Sequence, residues 1–348
     1  MITSAFPEPE IFFPGRGEPV LRWGIVAPGW IAGYFAGAVN RHTHQKLAAV
    51  ASRTLARAEA FAAEHGVDRA YGSYEELFGD PELDVVYIAA PQSEHLTLGL
   101  LAIASGKHVL IEKPLATNAA DARTLVAAAR EAGVLLMEAM WSRYQPQASV
   151  IRSLVTDGVI GEVSWIAADH GQAIPADPEG RLYRRDLGGG ALLDLGIYPI
   201  QLDSMVLGAP TSIHAVGGMT STGVDAYSTV TLGHGDGAQS TLMTSILTRT
   251  PTTAVIAGSE GRIEMAGPFH IPTTLTLAGL DLFGPVQTWT DPTGVALMDG
   301  LAWEATALAQ YVGEGRTESP LHTLDETVTI LETIDEALRQ VEAGAASR

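Results

Sequence analysis

The first half of the chain alternates between short apolar runs and longer segments in which apolar residues recur with helical spacing. The apolar runs predict strands at residues 20–27, 46–52, 84–90, 107–113 and 134–140. The intervening segments predict helices at residues 29–39, 54–66, 93–106 and 118–133. Because strands joined by helical segments form right-handed crossovers, this alternation predicts an α/β fold with a doubly wound parallel sheet.

The pattern changes after about residue 160, where β-branched runs are separated by Gly, Pro and Asp turns. These runs lie at residues 162–171, 211–219, 226–234, 238–247, 252–258, 261–267 and 273–279. They predict an α+β domain with a large, mostly antiparallel open sheet, closed by a helix over residues 324–344. We therefore predict an irregular arm (1–19), a Rossmann-type domain (20–141) and a second domain (142–348).

Composition narrows the classes of partner and chemistry. The formal net charge of −19 opposes binding to nucleic acid or anionic membranes, so neither partner is expected. The chain contains no cysteine, which excludes disulfides, thiolate nucleophiles and cysteine-ligated metals. It also lacks an HExxH motif, so no metal site is expected. The N-terminus lacks the features of an export signal, so we expect a cytoplasmic protein.

The first predicted strand-to-helix turn has the form of a dinucleotide-binding loop. In WGIVAPGWIAG, Gly29 stands where the backbone approaches a phosphate, but Ala27 occupies the place of the first glycine. A tight turn alone would be the simpler interpretation. The surrounding alternation of strands and helices favours cofactor binding instead, with Ala27, Gly29, Trp30 and Ile31 as the contacts.

The end of the second strand carries no acid to bind a ribose 2′-hydroxyl. Ser52, Arg53 and Arg57 stand there instead, and this set suits a 2′-phosphate, so NADP(H) is favoured over NAD(H). In the alternative, Arg53 stacks on adenine and serves either cofactor.

Two further segments carry candidate catalytic groups. Glu112 and Lys113 end a strand, and Pro114 restricts the direction of Lys113, so we expect Lys113 beside the cofactor and Glu112 as a further cofactor contact. In GGGALLDLGIYPI, Asp194 and Tyr198 are four residues apart and share one helix face. A lysine ammonium favours the phenolate of a nearby tyrosine, which predicts a proton relay. A core tyrosine beside a capping aspartate is the alternative.

The motifs GIVAPGWIA, ASR, YGSYEEL, EKP and GGGALLDLGIY together resemble the glucose-fructose oxidoreductase, inositol dehydrogenase and rhizopine-catabolism (Gfo/Idh/MocA) family. With MEAMWSRYQP, the chain is most similar to the branch of dimeric dihydrodiol dehydrogenase and NADP-dependent D-xylose dehydrogenase. The resemblance implies a dinucleotide-binding domain followed by a domain for substrate binding and oligomerisation. It also favours the catalytic interpretation of Tyr198.

The resemblance implies further site residues. Lys113 corresponds to the lysine of the family's EKP motif, Asp194 to its acid and Tyr198 to its proton donor. Trp141 and Arg143 are implied as substrate contacts, as are Asp194 and Tyr198. Pro91 and His95 are implied as cofactor contacts, although a structural hydrogen bond is an equal alternative for His95.

The predicted activity is hydride transfer between NADP(H) and a secondary alcohol, carbonyl or anomeric carbon of a sugar or cyclic vicinal diol. The apolar alternation of the second sheet predicts a homodimer or homotetramer. Two alternatives are a redox-assisted glycoside hydrolase or lyase with tightly held NAD, and a non-catalytic cofactor or sugar sensor.

Overall fold

The computed structural model describes residues 6–235 and 237–347 of the chain. Contacts between residues divide the chain into two compact units. The first unit comprises residues 11–145 and 296–328, and the second comprises residues 6–10, 146–295 and 329–347. Each unit therefore combines segments that are distant in the sequence.

The first half of the chain alternates between strands and helices. In chain order these are β1 (Arg22–Val26), α1 (Trp30–His42), β2 (Lys46–Ala51), α2 (Leu55–His65), β3 (Arg69–Tyr71), α3 (Tyr74–Phe78), β4 (Val85–Ile88), α4 (His95–Ala104), β5 (His108–Glu112), α5 (Ala119–Ala132) and β6 (Leu136–Ala139). Asn118 caps α5 by accepting a hydrogen bond from the Asp121 N–H at 2.9 Å, and Gly133 ends the helix. These elements confirm the predicted alternation.

The strands of the first unit form one parallel sheet in the order β3-β2-β1-β4-β5-β6. All residues of β4 and nearly all of β5 are buried, as expected of a sheet that is covered on both faces. The strand order reverses between β1 and β4. Open α/β sheets bind ligands at the carboxyl ends of the strands beside such a reversal.

The remaining elements follow in chain order. They are α6 (Pro146–Thr156), β7 (Val163–Gly171), α7 (Ile197–Leu207), β8 (Ser212–Met219), β9 (Asp225–Gly233), β10 (Gln239–Ser245), β11 (Ala254–Gly258), β12 (Gly261–Met265), β13 (Thr274–Gly279), β14 (Val286–Thr290), α8 (Leu301–Gly313) and α9 (Leu324–Ala346). The helix α9 begins in the first unit and continues into the second.

The second unit is built on an eight-stranded sheet in the order β14-β13-β12-β11-β7-β10-β9-β8. Neighbouring strands are antiparallel except β7 and β10, which are parallel. The helix α7 packs on β7 and β10, and buried residues alternate with more exposed ones along β9. The predicted mostly antiparallel sheet is confirmed.

A single wide turn of π-helix, Leu192–Gly196, leads into α7. An uninterrupted α-helix would need a hydrogen bond from residue 199 to the carbonyl of Leu195, and Pro199 has no N–H to donate. The predicted helix is therefore present, but Asp194 lies in the π-turn while Tyr198 lies in α7. Turns of this kind occur frequently at functional sites.

The division into units differs from the predicted boundary at residues 141 and 142. Residues 296–328 belong to the first unit, because α8 packs on α1. The side chains of α8 are buried on nearly every face of the helix. The chain thus returns to the first unit after it has formed the second sheet.

The predicted N-terminal arm is irregular over residues 6–19, but it is not separate from the core. Phe12 is only 4% exposed, with its ring centroid 6.0 Å from that of Tyr144 and 6.1 Å from that of Tyr311. This aromatic contact anchors the segment to the first unit. Residues 1–5 of the predicted arm lie outside the described residues.

Candidate active site

The loop between β1 and α1 leaves backbone donors without a side-chain cap. Within the described residues, no side chain caps α1 at Gly29, and a Cβ added there would meet only the Ala27 carbonyl oxygen, at 3.9 Å. Such a helix start offers N–H groups and a positive dipole end to a phosphate, so the loop fits a dinucleotide. Trp30 is 70% exposed and packs edge-on against Tyr34, while Ile31 is half-buried.

Ala27 itself has a φ of 63°, in the left-handed region that favours glycine. The residue that replaces the first glycine of the motif therefore adopts the conformation for which glycine is usually selected. Alanine thus replaces glycine at residue 27 while the backbone keeps the positive φ that favours glycine.

The polar residues after β2 lie beside this loop. The guanidinium Nη2 of Arg57 donates to the Pro28 carbonyl at 3.2 Å, and Ser52 is buried. Burial raises the pKa of Tyr74, while the positive charges of Arg53 and Arg57 act to lower it, which indicates that both arginines lie near this phenol. The charges of Arg53 and Arg57 thus act on Tyr74 of the YGSYEEL motif, and the 2′-phosphate role of Ser52, Arg53 and Arg57 stays a prediction.

His95 is enclosed by backbone carbonyls. Its imidazole is fully buried, with Nδ1 2.9 Å from the Pro114 oxygen and Nε2 3.0 Å from the Ala90 oxygen. Burial lowers the pKa of this imidazole. The contacts match the structural alternative for His95, and the predicted cofactor contacts of His95 and of the exposed Pro91 stay predictions.

Lys113 follows directly after β5, at the carboxyl end of the sheet, and is half-buried. Its backbone N–H donates to Glu112 Oε2 at 3.2 Å, and the Tyr87 hydroxyl donates to the other oxygen of the same carboxylate. The peptide bond between Lys113 and Pro114 is cis. The backbone on both sides of Lys113 is therefore tied to buried groups.

Trp141 and Arg143 lie in a short turn after β6, and both side chains are buried. Arg143 Nη2 lies 2.5 Å from Glu326 Oε1, and Nη1 donates to the Leu321 carbonyl at 3.2 Å. The predicted substrate contacts of Trp141 and Arg143 stay predictions.

Asp194 and Tyr198 are both buried, at 9% and 6% exposure. Arg181 Nη2 lies 3.0 Å from Asp194 Oδ1, so this carboxylate is held by an ion pair within the second unit. Arg181 was not among the predicted site residues. It lies in the segment between Gly171 and Gly188, whose conformation could not be derived from its sequence.

Two histidines surround the ring of Tyr198. The ring centroid of His270 lies 4.5 Å from that of Tyr198 and 4.5 Å from that of His170, and the centroids of His170 and Tyr198 are 5.4 Å apart. Gln172 Nε2 lies 3.1 Å from His170 Nε2. Neither histidine was predicted, because they come from β7 and from the loop before β13, a hundred residues apart.

At Gly190, one of the glycines before Asp194, the group that approaches the backbone closely is the side chain of Asp225 and not a ligand. A Cβ added at Gly190 would lie 2.1 Å from Asp225 Oδ1, and Gly190 has a φ of 126°. Asp225 Oδ2 accepts a hydrogen bond from the Leu192 N–H at 2.7 Å at the start of the π-turn. Burial raises the pKa of Asp225 to about 6, against the opposing effect of the backbone hydrogen bonds.

The predicted residues are thus grouped within each unit. The first unit holds the loop from Ala27 to Ile31, the polar residues after β2, and Lys113, whereas the second holds Asp194 and Tyr198. The predicted relay from Lys113 to Tyr198 joins residues of different units and stays a prediction. Among the residues that the structure describes, no group of three or more His, Asp or Glu side chains is arranged to hold a metal ion.

Comparison with known proteins finds a family model that matches each half of the chain. Residues 21–140 match the family model described as "Oxidoreductase family, NAD-binding Rossmann fold", and residues 149–264 match the "GFO/IDH/MocA C-terminal domain". The trans-1,2-dihydrobenzene-1,2-diol dehydrogenase of Xenopus laevis is 37% identical over 324 residues, which cover 92% of this chain and 98% of the relative. The human enzyme of the same name is 36% identical over 326 residues, covering 92% and 97%.

A solved structure extends the similarity. A 3-ketoreductase from Actinomadura kijaniata, solved with NADP and TDP-benzene, is 29% identical, with a TM-score of 0.79, over 94% of this chain and 98% of that one. These matches confirm the resemblance seen in the motifs. The chain therefore belongs to the GFO/IDH/MocA family and is an NAD(P)-dependent oxidoreductase acting on CH–OH groups.

Proposed function

We propose that the protein is an NADP(H)-dependent oxidoreductase of a sugar or cyclic vicinal diol. It would interconvert a secondary alcohol, or the hydroxyl at an anomeric carbon, with the corresponding carbonyl group. The observation that carries this proposal is the similarity over 92% of the chain to trans-1,2-dihydrobenzene-1,2-diol dehydrogenases, combined with the buried Tyr198 beside Asp194.

Tyr198 is the proposed proton donor and acceptor. Its phenolate takes the proton of the substrate hydroxyl during oxidation, and its phenol returns that proton during reduction. A tyrosine with an ordinary pKa near 10 needs a nearby positive charge to act as a base at neutral pH, and the ammonium of Lys113 supplies it in this proposal. When bound, the nicotinamide accepts or supplies the hydride.

Asp194 is proposed to orient the substrate hydroxyl, with Arg181 holding its carboxylate at 3.0 Å. Trp141 and Arg143 are proposed to shape the substrate pocket. Since Arg143 is engaged by Glu326 and the Leu321 carbonyl, its contribution would be to fix the turn that carries Trp141.

Preference for NADP(H) is the finer part of the proposal. It is supported by Ser52, Arg53 and Arg57 at the end of β2, with Arg57 bonded to the Pro28 carbonyl of the cofactor loop. We expect Arg53→Ala to reduce the ratio of kcat/KM for NADP+ over NAD+ by about tenfold or more. An unchanged ratio would leave Arg53 as an adenine-stacking residue that serves either cofactor.

The direct test is initial-rate reduction of NADP+ and NAD+ with D-xylose, D-glucose, myo-inositol and trans-1,2-dihydrobenzene-1,2-diol. Rapid turnover of one of these with NADP+ is the expected result. Saturable NADPH binding without turnover of any of them would favour the redox-assisted hydrolase or the sensor over this proposal.

A further inference from the structure

The turn that carries Lys113 is fixed by buried groups behind it. The Pro114 carbonyl lies 2.9 Å from His95 Nδ1, and the Leu115 N–H donates to Glu138 Oε1 at 2.8 Å. Glu138 comes from β6, the neighbour of β5 in the sheet, and is 2% exposed. The direction in which Lys113 leaves the sheet therefore depends on where Glu138 is held.

Glu138 is held in turn by residues from the segment before α9 and from its first turn. His322 Nε2 lies 2.7 Å from Glu138 Oε2, and the Thr327 hydroxyl donates to the same oxygen at 3.1 Å. His322 Nδ1 lies 3.6 Å from Glu326 Oε2, and Arg143 Nη2 lies 2.5 Å from Glu326 Oε1. We call Glu138, Arg143, His322 and Glu326 the charged quartet; the first three are buried, and Glu326 keeps 23% of its side chain exposed.

The charges of the charged quartet balance only if His322 is protonated. The quartet holds two carboxylates and one guanidinium, and an unpaired negative charge at the buried Glu138 is strongly unfavourable. Burial alone would raise the pKa of Glu326, but the neighbouring His322, 3.6 Å away, and the hydrogen-bonded guanidinium of Arg143 lower it to about 2. Burial also acts to lower the pKa of His322, yet its hydrogen bond to Glu138 and the nearby carboxylate of Glu326 raise it above its usual value, despite the opposing charge of Arg143.

We propose that the imidazolium of His322 and the carboxylate of Glu138 are positioning residues that set the direction of Lys113. This inference rests on the proposed role of Lys113 at Tyr198. Loss of the His322 proton would leave Glu138 without its buried counter-charge, and the bond from Glu138 to the Leu115 N–H would weaken. The groups that face this pair are Arg143 after β6, Glu326 on α9, and His95 on α4.

The sign of the pH effect follows from the direction of the shift. Because the pKa of His322 is raised in the folded protein, the pair is fully formed below the ordinary histidine pKa of about 6.5 and is lost as pH rises through the folded value. The rate of hydride transfer should therefore fall as pH rises through the pKa of His322.

The test compares His322→Gln, Glu138→Gln and the variant that combines them. The combined variant removes one positive and one negative charge, so the balance of the quartet is restored and two amides face each other. We expect each single change to lower kcat about tenfold at neutral pH, with the KM and the NADPH Kd within about threefold of wild type. The combined variant should recover most of the lost kcat, and its alkaline loss of rate should disappear.

Two controls separate this inference from the proposed function. The first control is Lys113→Ala, which should be inactive; an active variant would contradict the proposed function. The second is an NMR titration of the His322 ring, which tests the pair of His322 and Glu138 independently of activity. The His322 signal is assigned by its absence in His322→Gln. A ring pKa above about 6.5 that falls in Glu138→Gln supports the pair. A ring pKa at or below that value, or single variants with wild-type kcat while Lys113→Ala is inactive, would overturn it.

Discussion

Ala27 adopts a left-handed backbone, with a φ of 63°, although it carries a Cβ. Such a conformation costs an L-residue roughly 1 to 2 kcal/mol, and glycine adopts it without that cost but with more freedom in the unfolded chain. We expect Ala27→Gly to raise the free energy of unfolding by roughly 0.5 to 1 kcal/mol in urea titrations.

Ala32 provides the matched control for this change. It lies inside α1 and is fully buried, so Ala32→Gly should lower the free energy of unfolding by about 1 kcal/mol. An Ala27→Gly variant that is as unstable as Ala32→Gly would contradict the backbone assignment at Ala27.

Asp225 gives a prediction about pH and stability. Its pKa is raised to about 6 by burial, so the folded state holds the proton at pH values where the unfolded chain has released it. The folded state therefore loses stability as pH rises from about 4 through about 6. Asp225→Asn cannot ionise, and we expect its stability relative to wild type to improve by about 3 kcal/mol across that window.

Thermal unfolding of both proteins at several pH values measures this difference. Parallel profiles for wild type and Asp225→Asn would show that the carboxyl group titrates normally.

Individual candidate site residues could be proposed from the sequence only where a local pattern marks them, and their roles stay predictions. Lys113 ends an apolar run before a proline, and Tyr198 follows a glycine run at a spacing shared with a known family. His170, His270 and Arg181 have no such pattern, since each acquires its role from contacts with residues distant in sequence or in a loop.

The glycine run and the π-turn act together as one element. Gly190 allows Asp225 to reach the Leu192 N–H, and this contact fixes the start of the turn that carries Asp194. A methyl group at Gly190 would lie 2.1 Å from Asp225 Oδ1, at a φ of 126°. We expect Gly190→Ala to lose more than about 2 kcal/mol of stability, together with most of the activity.

Gly133 is the control for this prediction. It ends α5 in the left-handed helical region, with a φ of 66° and a ψ of 25°, and a Cβ there would meet nothing within 4 Å. Gly133→Ala should therefore cost only about 1 kcal/mol in the same unfolding measurement. Equal costs at the two glycines would contradict a role for the contact with Asp225.

The strands and helices that alternate in the first half of the chain were mostly predicted, whereas β3, β14 and the helices α3, α6 and α8 were not. Strands β1, β2, β4, β5 and β6 stand out as apolar runs between helical segments. The helix α8 was not predicted, because it is buried on nearly all sides and lacks a polar face to give a helical period. The π-turn was not predicted either, because the spacing of apolar residues does not distinguish one wide turn from a turn of α-helix.

At the scale of the whole molecule, the second sheet leaves one face for a partner. Trp165 on β7, Val216 on β8 and Tyr227 on β9 are 43%, 68% and 43% exposed, and α7 covers the opposite side of this sheet. We propose a homodimer, or a dimer of dimers, formed through this open face. Light scattering should give at least twice the chain mass of 36.7 kDa.

Charged substitutions on the open face of the second sheet test whether that face forms the dimer. Trp165→Glu combined with Val216→Glu should yield a monomer, whereas Leu101→Glu, at an exposed apolar position on α4, should not change the mass. A wild-type protein that is monomeric at all concentrations would contradict the proposal.

The two kinds of domain and their order were predictable, and the predicted boundaries after residues 19 and 141 stay predictions. The match of residues 21–140 and 149–264 to two family models agrees with the predicted sequence of a Rossmann domain and a second domain. The return of residues 296–328 to the first unit was missed, because apolar spacing does not show which unit a segment joins. No helix within the described ranges is long and apolar enough to cross a membrane, and the cytoplasmic location stays a prediction.

The proposed function depends on proton exchange between Tyr198 and the substrate. Single-turnover hydride transfer in Tyr198→Phe measures this step, using the best substrate of the panel and NADPH binding as the measure of an intact cofactor site. Tyr183→Phe serves as the control, since that buried hydroxyl donates to the Ile174 carbonyl within the same unit. We predict a loss of at least about 100-fold in Tyr198→Phe with unchanged NADPH affinity. A Tyr198→Phe rate within about threefold of wild type would contradict the proposed role of Tyr198, because general acid–base catalysis by its hydroxyl would then be absent.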